Sequence, residues 1–463
     1  MPLSATLRHN ISSVLIAQII VLLSSVIKSL VVPKVLGVED YGYWQIYVLY
    51  SGFVGVFALG YSDGVYLRFG GKDYSDLPFK QLRASSRIYT CVLGVISIAI
   101  CVAAITFEEG LRSVALFFVA ADIVFVCFSG YLLYVLQITD RFKEYGLLVV
   151  SDKVAMAAII VVLVVFGVTD PRQYMAWDCV TKIIACILVV WRCREVVFGS
   201  AERLSAGIRY YAGLCRSGLS LLLANFAGMF VVSAGRIVVE LFGDIASYAN
   251  YSLGITVTNL VLTLVNAVGL AIYPSLKRLP SGSLPSFFRR IDSAVGIVSA
   301  LALVCYAPSC LFVASFFPQY AGMLEYLPLL FVAVVAEVRM QLLCNTFFKA
   351  TGFARLLLAA NVASLVSVAC VAPALYMATG SVLAVALATS VVMTARSLAC
   401  YCVLANTLDI VIGRRVVVEI VLVAGFALIA MAPGSAGLAA AFVLSIANLV
   451  ARTLFAKRGK ADA

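Results

Sequence analysis

Charged side chains that interrupt long apolar runs are the residues of this sequence with the clearest potential for chemistry. They are Lys28, Asp63, Asp122, Arg236, Glu337, Arg339 and Arg396. If those runs cross a membrane, each charge near the bilayer centre costs about 2.5–3.5 kcal/mol on insertion scales, so each needs a partner or a function. A cation in such a place can bind an anionic group, and a buried carboxylate can take up a proton or bind a cation.

Two of these cations, Lys28 and Arg236, stand in the outer halves of their predicted helices. Their long stems can lie in the apolar region while the charged ends reach the interface, which would give them no further role. Alternatively, both face a polar cavity and bind an anionic head group. An arginine offers a bidentate fork that suits phosphate, and a lysine offers a point charge.

Three carboxylates, Asp63, Asp122 and Glu337, are candidates for proton or cation coupling. Glu337 and Arg339 are two residues apart, so they point to different faces of one helix and cannot pair there. Asp178 and Lys182 are four residues apart, and this spacing predicts an ion pair within one helix.

An aromatic run lies at the predicted outer end of the second span. Its members are Tyr41, Tyr43, Trp44, Tyr47 and Tyr50. An aromatic belt at the membrane interface accounts for this run, and stacking against a sugar ring is the alternative.

The elements that position these residues follow from composition. The chain has 463 residues, 63% of them hydrophobic and 12% charged, and its mean hydropathy is +1.05. These values lie far from those of soluble globular proteins and exclude a soluble enzyme. Hydropathy predicts fourteen membrane-spanning helices, each near the required length of about 20 residues. They lie near 11–32, 43–67, 88–107, 113–136, 147–167, 174–191, 212–238, 248–273, 292–316, 324–348, 356–378, 381–404, 416–432 and 437–455.

The basic residues of the connections alternate between the two sides of this layout. With the N-terminus placed in the cytoplasm, 24 Lys and Arg residues fall on the inner side, and only Lys34, Arg112 and Arg172 fall on the outer side. This asymmetry predicts that both termini are cytoplasmic. The net charge of +11 therefore reflects insertion topology and gives no reason to expect a nucleic-acid partner.

A weak internal repeat relates the two halves of the chain. A shift of 207 residues superposes Tyr41 on Tyr248 and Arg83 on Arg290, and it brings Lys28 to within one residue of Arg236. Because six spans separate the copies, the repeat is parallel, as in transporters whose substrate site lies between two lobes. The sequence thus predicts six-helix lobes at 1–205 and 206–406, followed by a terminal helix pair and cytoplasmic tail at 407–463.

Several chemistries lack the residues they need. The single histidine, His9, excludes a multi-histidine metal site and a histidine-based triad. The Gly-rich phosphate loop of nucleotide-dependent pumps is not present. We therefore expect no cofactor, no resident metal and no catalytic residue.

Two stretches resemble a known family. Residues 28–44 read KSLVVPKVLGVEDYGYW and residues 57–71 read FALGYSDGVYLRFGG; residues 236–255 read RIVVELFGDIASYANYSLGI and lead to AIYPSLKRL at 271–279. They resemble the bacterial polysaccharide repeat-unit (O-antigen, Wzx-type) flippases of the multidrug/oligosaccharidyl-lipid/polysaccharide exporter superfamily. The sequence departs from that family at Gly235, where many members carry an aspartate before the basic residue of the seventh helix.

The resemblance implies an all-α polytopic protein of the bacterial inner membrane, engaged in O-antigen and lipopolysaccharide synthesis. Its substrate would be an undecaprenyl-diphosphate-linked glycan, flipped from the cytoplasmic to the periplasmic leaflet by alternating access. Lys28 and Arg236 would hold the diphosphate, with Arg68 and Arg396 as further cavity candidates. Implied partners are Na⁺ or H⁺, membrane lipids and other polysaccharide-assembly membrane proteins.

Two alternatives stay open at this point. The first is an ion-coupled exporter of drugs or small metabolites with the same superfamily fold. The second, from another class, is a membrane-embedded glycan polymerase or acyltransferase. That class works on large outer loops, whereas the predicted outer connections are short.

Overall fold

The computed structural model of the chain describes residues 5–277, 284–350, 353–410 and 414–461, and within them every regular element is helical. The chain forms two compact units, Met1–Phe226 and Ala227–Ala463. The predicted all-α polytopic fold is confirmed. The lobe boundaries at 205 and 406 stay a prediction.

The first unit is built from eight helices and the first part of a ninth. They are α1 (Ala5–Val35), α2 (Val38–Phe53), α3 (Tyr61–Phe69), α4 (Phe79–Phe107), α5 (Gly110–Ile138), α6 (Phe142–Val165), α7 (Pro171–Arg192), α8 (Arg194–Val197) and α9 (Leu204–Phe242), which continues into the second unit. Helix α5 is central, since it packs against α2, α3, α4 and α7, while α1 packs along α6.

The second unit contains the end of α9 and nine further helices. They are α10 (Ile245–Lys277), α11 (Leu284–Val304), α12 (Tyr306–Phe316), α13 (Leu327–Arg339), α14 (Asn345–Ala350), α15 (Ala354–Thr379), α16 (Val382–Thr407), α17 (Arg414–Ala430) and α18 (Ser435–Ala461). Helix α13 is the core of this unit and packs against α10, α11, α16 and α17. Helices α17 and α18, the predicted terminal pair, pack on each other and against α11 and α13.

Each of the fourteen predicted spans lies on one helix or on consecutive helices. Among the described residues, ten helical segments are long and apolar enough to cross a membrane, and the bent pair α2–α3 makes eleven. The other three predicted spans correspond to α1, α10 and the shorter apolar helix α17. The chain is thus a multi-pass membrane protein by the length and composition of its helices.

A sharp bend of 56° separates α2 from α3. A short 3₁₀ segment, Val54–Ala58, ends at Leu59 and Gly60, which both take left-handed backbone conformations with φ of 52° and 80°. Beyond the bend, α3 crosses α9 with backbones nearly in contact, because a Cβ on Gly64 would lie 2.0 Å from the Leu214 carbonyl oxygen. A Cβ on Gly218 would lie equally close to the Gly60 carbonyl oxygen. Only glycines allow this crossing.

Candidate functional site

Four charged side chains from three helices meet inside the first unit, in what we call the four-charge cluster: Lys28 of α1, Asp122 of α5, and Asp178 and Lys182 of α7. Lys28 Nζ lies 2.6 Å from Asp178 Oδ1, and Lys182 Nζ lies 2.8 Å from Asp178 Oδ2. Lys182 Nζ also lies 2.5 Å from Asp122 Oδ2. The cluster is thus a continuous series of alternating charges, Lys28–Asp178–Lys182–Asp122, and its formal charges cancel.

Two hydroxyl groups of α2 complete the cluster. The Tyr47 hydroxyl lies 2.8 Å from Asp178 Oδ2 and 3.0 Å from Asp122 Oδ2, and it accepts a hydrogen bond of 2.9 Å from Lys182. Ser51 donates to Asp122 Oδ2 over 2.5 Å and accepts from Lys182 over 2.7 Å. Buried charges are tolerated when they are both paired and hydrogen-bonded, and the middle of the cluster meets both conditions.

Exposure differs along the cluster. The Asp122 and Asp178 side chains are 0% and 6% exposed and that of Lys182 is 15% exposed, whereas that of Lys28 is 30% exposed. The Lys28 ammonium also lies 4.8 Å from the centre of the Trp44 ring, which favours a cation at this place. Lys28 is therefore the most exposed member of the cluster.

The second unit holds a different arrangement around α13. Arg396 of α16 donates to Glu337 Oε2 over 2.7 Å and to Asn361 Oδ1 over 3.2 Å. Gln341 donates to the other oxygen of Glu337 over 3.1 Å. The Arg396 and Glu337 side chains are 2% and 8% exposed. This pair is closed, because each partner is held by the other and by a side-chain amide.

Arg339, two residues after Glu337, turns to the opposite side and forms an ion pair with Glu419 of α17. Its guanidinium also lies 5.3 Å from the centre of the Tyr401 ring. Directly after Arg339 the backbone forms a π-helical turn, Met340–Cys344. The two neighbouring charges of α13 thus join it to two different helices, as the spacing of two residues requires.

Arg236 is buried in the second unit, on the last part of α9. Its guanidinium lies 3.5 Å from the Tyr248 hydroxyl of α10 and 6.0 Å from the ring centre. At the preceding Gly235 a larger residue would require its neighbours to shift, because a Cβ there would lie 2.3 Å from the Tyr251 hydroxyl and 2.9 Å from Thr389 Oγ1. These hydroxyls occupy the place where the aspartate of the resembling family would begin.

Asp63 and Arg68 belong to neither arrangement. Asp63 is buried in the first turn of α3, just past the bend. Arg68 is exposed near the end of α3 and lies over the ring of Tyr210, 4.8 Å from its centre.

The structure therefore joins predicted site residues in two places. Lys28 and Asp122 meet through Asp178 and Lys182, and Glu337 and Arg396 meet directly. The predicted Asp178–Lys182 pair is confirmed. Roles for Lys28, Arg236, Arg68 and Arg396 in substrate binding, and for Asp63, Asp122 and Glu337 in coupling, stay predictions.

Sequence reasoning does not identify Ser51 as a member of the cluster, and it places Tyr47 only in the aromatic run. The prediction of an interfacial belt is wrong for Tyr41, Trp44 and Tyr47, which are buried within the first unit. One signal could have identified Tyr47 and Ser51: they are four residues apart, and so lie on the same face of α2.

Metal ligands are not clustered in the part of the chain that the structure describes. Within it, no group of three or more His, Cys, Asp or Glu side chains is arranged to hold a metal ion.

Solved structures with a similar fold are membrane transporters. An inward-facing MATE family transporter of the MOP superfamily superposes with a TM-score of 0.61 at 12% identity, over 85% of this chain and 98% of that one. An outward-facing MATE family transporter gives 0.61 at 12% identity, over 86% and 95%. The lipid II flippase MurJ in an inward-closed conformation gives 0.59 at 11% identity, over 97% and 99%.

Neither a protein-family model nor a curated protein sequence matches the chain. At such low identity the structural likeness shows the fold alone. This chain has the fold of MATE transporters and of the flippase MurJ.

Proposed function

We propose that this protein is a flippase, which moves an undecaprenyl-diphosphate-linked oligosaccharide from the cytoplasmic to the periplasmic leaflet by alternating access. It makes and breaks no bond. In this proposal Lys28 and Arg236 bind the diphosphate, the glycan occupies a polar cavity, and the lipid tail stays in the bilayer. Arg68 is a further contact of the substrate, whereas Arg396 reaches the substrate only by leaving Glu337 and Asn361.

The observation that carries the proposal is the exposure of Lys28 together with its contact with Asp178. It is the accessible end of the four-charge cluster, and its carboxylate partner Asp178 is held independently by Lys182 and Tyr47. Lys28 can therefore exchange Asp178 for an anionic head group, while Asp178 keeps a cation and a hydrogen-bond donor. An accessible lysine suits anionic cargo better than neutral or cationic cargo.

The share of this chain that each solved structure matches supports a lipid-linked substrate over a drug. The MurJ structure matches 97% of this chain, whereas the two MATE structures match 85% and 86%. The difference, about 12% of 463 residues, is close to the length of the predicted terminal extension 407–463. The likeness to a lipid II flippase thus extends over nearly the whole chain.

The second candidate is an ion-coupled exporter of drugs or small metabolites. The MATE likeness and the buried carboxylates Asp63, Asp122 and Glu337 favour it, since buried carboxylates suit coupling to Na⁺ or H⁺. A polymerase or acyltransferase has less support, because the fold neighbours reported above are transporters.

The test is complementation of a deletion strain of the native host with Lys28→Ala, Arg236→Ala and the double variant. We expect surface glycan to fall at least tenfold in the double variant at unchanged protein abundance, because each charge-assisted bond to phosphate contributes about 1.5–3 kcal/mol. Arg172→Ala is the matched control: it removes an exposed cation from the predicted outer end of the first unit. Normal surface glycan in the double variant would contradict the assignment of the diphosphate site.

The leaflet test separates a flippase from an exporter of soluble compounds. We expect the deletion strain to accumulate lipid-linked repeat units that face the cytoplasm, as measured by their protection from an impermeant sugar-modifying reagent. Repeat units that are fully accessible from outside in the deletion strain would overturn the flippase proposal.

A further inference from the structure

A second polar site lies in the first unit, away from the four-charge cluster. A cavity of about 440 Å³ opens where the ends of α5, α6 and α7 meet the connection after α3. Its lining residues are Tyr74, Arg141, Trp191, Arg192, Arg194 and Glu195. All of them lie at helix ends or in connections predicted to face the cytoplasm.

The connection that carries Arg194 is held rigidly. Arg83 donates from Nε and Nη2 to the Glu195 carbonyl oxygen over 2.9 and 2.7 Å, and from Nη1 to that of Ser200 over 3.0 Å. Arg87 donates to the Gly199 carbonyl oxygen over 3.1 Å. These four bonds hold α8 and the residues after it in a defined place, so little order has to be gained on binding.

The charges of the cavity are unbalanced toward the positive. Glu144 forms ion pairs with both Arg141 and Arg192, so one carboxylate serves two guanidinium groups. Arg194 is exposed, and within the described residues it makes no ion pair. Among the lining residues three arginines stand against one carboxylate, Glu195, and Arg194 is the guanidinium group that is available to an anion.

The neighbouring aromatic groups suit a ligand that belongs to a membrane. Trp191, in the last turn of α7, is 66% exposed, and exposed tryptophans at helix ends mark the level of lipid head groups. Tyr74 lies under Arg141, whose guanidinium is 4.6 Å from the centre of its ring. Burial raises the pKa of the Tyr74 hydroxyl to about 12, so this group stays protonated and can donate.

We propose that this cavity binds the phosphate of an anionic lipid head group, with Arg194 as its main ligand. Guanidinium groups match phosphate oxygens in bidentate geometry, and basic pockets between helix ends are typical sites for anionic head groups. The site does not depend on the proposed flippase function. Its phosphate comes either from bulk anionic phospholipid or from a lipid-linked diphosphate.

The test is native mass spectrometry of the full-length protein purified in detergent. One arm titrates phosphatidylglycerol, with zwitterionic phosphatidylcholine as the matched lipid, and a second arm titrates a polyprenyl diphosphate. We expect Arg194→Ala to weaken binding in at least one anionic arm about tenfold, the effect of losing one charge-assisted hydrogen bond. Arg194→Lys keeps the charge but not the fork, and should fall between wild type and Arg194→Ala.

Arg289→Ala is the control, because it removes one exposed cation from a helix end that is also predicted to be cytoplasmic. A loss confined to phosphatidylglycerol identifies bulk lipid as the source, and a loss confined to the diphosphate identifies the lipid-linked compound. Equal affinities for Arg194→Ala and Arg289→Ala in both arms, with unchanged melting temperatures, would overturn the proposal.

Discussion

The two units of this protein bury charge in different ways. In the first unit, Lys28, Asp178, Lys182 and Asp122 form one continuous series with three contacts between opposite charges, so the two middle residues each have two charged partners. In the second unit, Glu337–Arg396 and Arg339–Glu419 are two separate pairs. A series can give up its end member and stay balanced in its middle, whereas a closed pair cannot release either partner without leaving a buried charge.

The two arrangements also lie at different ends of their helices. Asp178 is in the second turn of α7 and Lys28 is in the last turns of α1, which are ends predicted to be periplasmic. Glu419 is in the second turn of α17 and Asn361 in the second turn of α15, which are ends predicted to be cytoplasmic. The four-charge cluster thus joins α1 to α7 near one end of these helices, and Glu144 joins α6 to the other end of α7 through Arg192.

The largest expected loss of stability comes from removing Lys182, one of the two middle residues of the series. Lys182→Met leaves Asp122 without its one charged partner and removes one of the two cations that contact Asp178. Both carboxylates are almost fully buried. Breaking a buried ion pair on one side costs about 3–5 kcal/mol. We expect a loss of this size in the free energy of unfolding, measured by titration with sodium dodecyl sulfate in mixed micelles.

The control for Lys182 is the double variant Lys182→Met with Asp122→Leu. It removes the uncompensated carboxylate along with the lysine and should recover most of the loss. A single variant as stable as the wild type would mean that the series does not hold α5 to α7.

A smaller loss of stability is expected when Gly218 or Gly235 is replaced by alanine, and its size should differ between the two positions. A Cβ on Gly218 would meet the backbone carbonyl of Gly60 at 2.0 Å, whereas one on Gly235 would meet the hydroxyl tip of Tyr251 at 2.3 Å. A backbone atom can move only with its helix, but a tyrosine side chain can shift. Gly218→Ala should cost about 3 kcal/mol, near the upper end of overpacking effects, and Gly235→Ala about 1 kcal/mol.

Thermal unfolding of the two alanine variants in the same detergent measures this difference. Equal melting temperatures would show that the α3–α9 crossing is as adaptable as the surroundings of Arg236.

The helices could be predicted from sequence because each carries its own signal. A run of about 20 apolar residues is a local property, and the basic residues at the run ends are counted without knowing any contact. The bend between α2 and α3 was not predicted, although Leu59 and Gly60 cause it. It lies inside the single span predicted at 43–67, because hydropathy does not register a change of direction.

The site could be predicted only where its contacts are local. Asp178 and Lys182 share one helix face, so their pair follows from spacing. Lys28 and Asp178 are 150 residues apart, and their contact depends on how α1 and α7 pack. Glu337 and Arg396 were each recognised as buried charges, but the sequence assigned one to coupling and the other to substrate, since nothing local shows that they pair.

The smallest expected effect on stability comes from the accessible end of the series. Lys28→Met should reduce the free energy of unfolding by only about 1 kcal/mol, because Lys28 is partly exposed and Asp178 keeps both Lys182 and Tyr47. Under the proposed function the same variant should lose transport, so stability and activity would separate at this residue. Unfolding in mixed micelles and surface glycan in complemented cells measure the two quantities. A stability loss as large as that of Lys182→Met would make Lys28 a structural member of the cluster, and the difference between an open series in one unit and closed pairs in the other would then disappear.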